Sequence, residues 1–183
     1  MTTFPSNDTL YAAVRAVYAN YRKELMNRKY YGCRLAATKR LSTILDITVA
    51  VGTSTAVGAW ALWHSPGGQA AWAVLSGAAA LFAIAKPTLR LPSETERYTR
   101  HFAGHSVAFY DLQALVDEIS RLRDYPTGIH GRYLAIVERA NKLSTDDDPS
   151  PKQRLLKRTY REVTQEIPAT SLWWPERGGT NDR

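Results

Sequence analysis

His101 and His105 stand four residues apart in a stretch of helical periodicity, the spacing at which two imidazoles share one face and can hold a metal ion. No carboxylate or cysteine is fixed beside them by the local pattern, so a plain pair of core or interfacial histidines outweighs a metal pair. Cys33 is the single cysteine, which excludes an intramolecular disulfide and a cysteine-rich zinc site; it is expected as a small buried apolar residue. The chain has no P-loop, no GxSxG elbow and no HExxH helix. Catalysis therefore has no residues to rest on, and no enzymatic activity, metal or cofactor is expected.

Two other groups of residues suggest binding or transport. Lys152, Arg154, Lys157, Arg158 and Arg161 fall at helical steps on one broad face, which can hold a phosphate-bearing ligand or an anionic lipid, against the blander reading of a solvated surface. The net charge of +7 likewise points to an anionic partner, a phospholipid surface or a nucleotide-like ligand. Asp46 is the lone charged residue in an apolar stretch, where a carboxylate at a bilayer centre would cost about 2.5–3.5 kcal/mol. Ser42, Asp46 and Thr53 share a face there, as a pore-lining stripe would. The competing reading pairs Asp46 with Lys86, which lies as far beyond Pro66 as Asp46 lies before it. Lys86 is long enough to reach the interface and Asp46 is not, which favours the pore stripe.

The elements that carry these residues are helices. From Ile47 to Ala85 there is no Asp, Glu, Lys or Arg. Residues 41–63 form one span, long enough as a helix (roughly 34 Å) to cross a hydrocarbon core of about 30 Å. His64-Ser65-Pro66-Gly67-Gly68 reads as a turn, and residues 69–85 form a second span. Trp60, Trp63 and Trp72 make an aromatic belt around the turn. Arg34, Lys39 and Arg40 precede the hairpin and Lys86, Arg90, Arg97 and Arg100 follow it, whereas the turn has no Lys or Arg. The positive-inside rule then places both termini in the cytoplasm. Ala70, Ala73, Gly77 and Ala80 make a small-residue stripe suited to close helix packing in lipid. The competing reading is a buried hairpin in a soluble bundle.

Outside the hairpin, a helix begins near Asp8 and runs past Gly32, where a break is possible. Residues 1–40 hold eight Lys/Arg and no apolar run of signal-peptide length. Ser93-Glu94-Thr95-Glu96 reads as a capping box opening a helix to Arg123. A turn at 124–128, a helix over 131–143 that presents Leu134, Val137 and Ala140, and a loop with Asp146-Asp147-Asp148 suited to N-capping lead into the basic helix over 151–166. Trp173 and Trp174 are expected to dock on the helical domain. The fold class is an all-α membrane protein, a two-helix transmembrane hairpin with cytoplasmic helices at both ends. Its divisions are 1–40 (juxtamembrane helix), 41–86 (hairpin), 87–167 (cytoplasmic helices) and 168–183 (tail).

Over residues 8–167 this architecture resembles the SLATT family of two-transmembrane effectors associated with bacterial nucleotide-signalling defence. Tyr30-Tyr31-Gly32-Cys33-Arg34-Leu35-Ala36-Ala37-Thr38-Lys39-Arg40 looks like the family's helix leading into the membrane, and residues 94–122 like the helix leaving it. The resemblance implies a homo-oligomer in the inner membrane, a tetramer or similar ring, acting as a pore or ion channel that halts growth of infected cells. It also implies a nucleotide or oligonucleotide messenger made by a separately encoded nucleotide-synthesising enzyme. The alternative is a membrane-anchored scaffold whose cytoplasmic helices recruit a partner.

Overall fold

A computed structural model describes residues 7–53, 66–88, 90–144 and 148–175. Every regular element among them is helical: α1 (Asn7–Thr53), α2 (Pro66–Thr88), α3 (Leu91–Leu122), α4 (Thr127–Ser144), α5 (Gln153–Glu166) and a short 3-10 turn (Ala169–Ser171). One helix among the described residues, α2, is long and apolar enough to cross a membrane, over Gly67–Ile84 at a mean hydropathy of 1.4. The expected first span begins within α1, and its second half, with Trp60, Trp63 and the expected turn residues His64 and Ser65, lies outside the described residues. Pro66-Gly67-Gly68, expected as a turn, opens α2 instead, because proline's fixed φ suits a first helical turn, where its missing N–H costs nothing.

The chain divides into two compact units, Met1–Gly32 with Arg100–Arg183, and Cys33–Thr99. The first part of α1 shares a core with the C-terminal helices.

In the first unit, Val14, Val17, Tyr18, Tyr21 and Leu25 bury the three-to-four-residue stripe of α1 against Phe109, Leu112, Leu115 and Ile119 of α3. Tyr21 stacks on Phe109 with ring centroids 5.1 Å apart. Gly32 does not break α1: a Cβ there would lie 3.2 Å from the Phe102 ring, so its missing side chain serves a close approach. Helix α4 starts four residues earlier than the pattern suggests, and this resets its inner face. Ile129, Ile136 and Ala140 are buried, whereas Leu134 is exposed and Val137 only half-buried. Asp148 does not cap α5, whose N-cap is Lys152 without a side-chain bond. It is held instead by α1, where Tyr30 Oη donates to Oδ2 at 2.6 Å. The tail docks as expected: the Trp174 ring lies 5.3 Å from Tyr11 and 5.1 Å from Tyr18, and Tyr18 Oη donates to the Trp173 carbonyl at 2.7 Å.

This core is rich in tyrosine, and burial shapes its titration. Burial pushes the phenols of Tyr18, Tyr21 and Tyr133 above their usual value, and that of Tyr125 up to about 12. The unfolded chain ionises first, near pH 10, so the contribution of these phenols to stability is intact below about pH 10 and falls as pH rises toward 12. An alkaline titration should show a fraction of tyrosinate absorbance arriving late and together with loss of helical circular dichroism. A single titration at the ordinary phenol value, with the helices intact, would contradict this.

In the second unit, Leu45 of α1 and Ala79 of α2 are buried, and Ser76 Oγ lies 3.4 Å from the Gly52 carbonyl, to which it donates. The expected stripe of Ala70, Ala73, Gly77 and Ala80 is exposed, so it is not the face of α2 that meets α1. That contact is made by Leu75, Ser76 and Ala79, a fraction of a turn round the helix. Val74, Leu81, Ile84, Ile44 and Ile47 are also exposed. The expected capping box does not form. Arg90, at φ 47°, turns the chain, and Ser93 Oγ donates back to the Arg90 carbonyl at 2.8 Å from inside the first turn of α3. Cys33 is exposed, contrary to expectation. Tyr98 is buried between two guanidiniums, Arg34 at 4.9 Å and Arg97 at 5.1 Å from its ring, and Arg34 Nη2 also donates to its hydroxyl.

Candidate functional site

Three groups of polar residues stand out against this frame. The first lies in the second unit, where Ser42 and Asp46 occupy successive turns of α1 and Ser42 Oγ donates to Asp46 Oδ2 at 3.4 Å. Asp46 is exposed among Leu41, Ile44 and Ile47, each 45–60% exposed. Thr53 ends the same helix, and its side chain, like that of Lys86, is outside the described residues.

The second is the basic face of α5. Thr159, Val163 and Ile167 turn inward at four-residue steps, which sends Arg154, Lys157, Arg158 and Arg161, together with Lys152 at the N-cap, to the exposed side. Arg158 Nε lies 2.7 Å from Glu162, and that hydrogen bond holds the Glu162 carboxyl below its usual range. The Lys152 backbone N–H donates to Tyr30 Oη at 3.1 Å, fixing the start of the helix on α1.

Two residues of α1 that the sequence pattern does not single out join this face. A cavity of about 320 Å³ between α1 and α5 is lined by Arg22, Lys23 and Met26 on one side and Tyr160, Val163 and Thr164 on the other. A second of about 360 Å³ shares Met26 and Tyr160 and adds Leu156, Lys157 and Arg161. Together they make one groove with a cationic pair toward each end and an apolar, aromatic middle. Arg22 donates from Nη2 to the Ile167 carbonyl at 2.5 Å, and its buried Nε has no hydrogen-bond partner. The Arg22-Lys23 dipeptide is visible in the sequence, but a contact spanning more than a hundred residues is not.

The third group is internal. His101 and His105 are both buried, and Tyr31 stacks over them at 4.6 and 5.4 Å. Glu24 of α1, itself 2% exposed, places Oε2 at 2.6 Å from His105 Nδ1. Among the described residues no group of three or more His, Cys, Asp or Glu could hold a metal ion. The chemistry of this cluster is that of a buried charge-capable pair joining two helices. No protein-family model, no curated protein and no solved structure matches the chain.

Proposed function

We propose that the chain is an oligomeric inner-membrane pore or ion channel of the SLATT kind, a toxic effector in antiphage defence gated by a nucleotide or oligonucleotide. Its two-span hairpin has both termini in the cytoplasm. The observation that carries this reading is Asp46, a carboxylate exposed on a helix face whose neighbours are exposed aliphatic side chains. The α2 window that could cross a membrane is only 6% buried within the chain, so its apolar surface also calls for lipid or another subunit. A carboxylate facing lipid would be costly, and a ring of subunits relieves that cost by turning Asp46 toward a water-filled lumen. Two helices cannot enclose such a lumen alone, so assembly follows from the reading.

The test is ion conduction by the full chain reconstituted into planar bilayers. Asp46→Asn should assemble normally and conduct with its preference for cations over anions reduced toward none, whereas Lys86→Gln should change little. If Asp46 pairs with Lys86 instead, each single change destabilises the protein and the double change partly restores it. An intact, membrane-inserted protein that never conducts would favour the scaffold.

A further inference from the structure

The groove between α1 and α5 has the chemistry of a ligand site for a particular class of molecule. Tyr160 is 64% exposed on a helix whose other exposed positions are mostly charged, and with Met26 it forms the apolar middle of the groove. Arg22 and Lys23 stand toward one end, Lys157 and Arg161 toward the other. Among the described residues, no acidic one lines either part. The nearby carboxylates are already engaged, Glu162 by Arg158 at 2.7 Å and Glu166 by Lys29 at 2.7 Å. Arg22 retains donor capacity, since a single Nη serves the Ile167 carbonyl.

We propose that this groove binds a nucleotide, its base lying against Tyr160 and Met26 and its phosphate held by the flanking Arg and Lys residues. Bases stack readily on tyrosine rings, and guanidinium and ammonium groups are the usual phosphate donors. Each part of the groove is of the size that takes a small ligand. An anionic lipid headgroup would satisfy the cations equally well. It would leave the tyrosine–methionine platform between the two helices without a role. The proposal rests on the reading of a nucleotide-gated channel and gives that signal a place. A ligand held here bridges α1 and α5, and so acts on the contact that joins the basic helix to the core.

Calorimetry on the full chain in zwitterionic nanodiscs tests this with adenosine monophosphate, adenosine and inorganic phosphate as probes. Adenosine monophosphate should bind at least about tenfold more tightly than either of the others, because it alone engages both platform and cations. Tyr160→Leu, at an exposed position, should weaken adenosine monophosphate about tenfold and leave inorganic phosphate unchanged. Lys157→Gln with Arg161→Gln should weaken both, and Lys142→Gln, on α4 and outside the groove, should weaken neither. Equal affinity for adenosine monophosphate and inorganic phosphate, or full affinity after Tyr160→Leu, would overturn the proposal. So would binding to phosphatidylglycerol vesicles with none to adenosine monophosphate. Binding is read without conduction, so a protein that takes up adenosine monophosphate but never conducts would end the channel reading and leave the groove standing.

Discussion

Glu24→Ala is expected to destabilise the α1–α3 core by about 2–4 kcal/mol, the cost of leaving a buried hydrogen-bonding partner unsatisfied together with that of the void left behind. The carboxylate is 2% exposed and lies 2.6 Å from His105 Nδ1, with Tyr31 stacked over the imidazole and so keeping water from it. The truncation leaves Nδ1 buried without its acceptor and opens a void where the side chain had been, and both effects act in the same direction. His105 Nε2 is buried without a hydrogen-bond partner, so the ring has no second hydrogen bond through which to recover the loss. Glu24→Gln keeps an acceptor in place and should cost clearly less. The double change Glu24→Leu with His105→Leu removes both partners and should recover much of the loss, because well-packed apolar replacements of a buried pair are often neutral or better. Thermal unfolding of the purified protein in detergent, followed by helical circular dichroism, measures all three. A Glu24→Ala protein that melts within the range of a surface substitution, about 0.5 kcal/mol either way, would show that the pair contributes nothing.

This pair also marks where the sequence stops being legible. Helical periodicity along one segment is local, so the inner faces of α1 and α3 follow from it, as Val14, Val17, Tyr21 and Leu25 on one and Leu112, Leu115 and Ile119 on the other illustrate. The exposure of the α5 cations follows in the same way from the inward step of Thr159 and Val163. What joins distant segments does not. Glu24 and His105 are 81 residues apart, Tyr30 and Asp148 are 118 apart, and nothing in either neighbourhood announces the other. Arg22 and Lys23 carry no more local signal than any other basic pair on a helix, and they gain a role only when α5 is laid beside them. Phase is the other weak point. Placing the start of α4 at Gly131 omits Ile129, and with it the register that buries Ile136 and exposes Leu134. The face of α2 that meets α1 is hidden for a related reason: α2 is small or apolar on nearly every side, so composition offers several faces and only the partner chooses among them.

That choice is measurable at two glycines. A Cβ on Gly52 would stand 2.3 Å from the Ala79 Cβ and 3.2 Å from the Leu75 carbonyl oxygen, whereas a Cβ on Gly77 would meet nothing within 4 Å. Carbon atoms rest about 3.5–4.0 Å apart, so even Gly52→Ala forces the helices to separate by about 1 Å or more. Gly52→Leu adds a branched side chain that the buried Ala79 has no room to receive. Overpacking of this kind costs about 1–3 kcal/mol in a well-packed site, and here the obstacle is partly backbone, which cannot rotate away. It should also break the Ser76 Oγ bond to the Gly52 carbonyl. Gly77→Leu, on the exposed stripe, should leave the α1–α2 contact and the melting of the isolated monomer unchanged. If subunits meet along Ala70, Ala73, Gly77 and Ala80, that substitution should instead lower the oligomer mass measured by light scattering in detergent. Equal melting losses for Gly52→Leu and Gly77→Leu would mean that the close approach at Gly52 does not hold the two helices together.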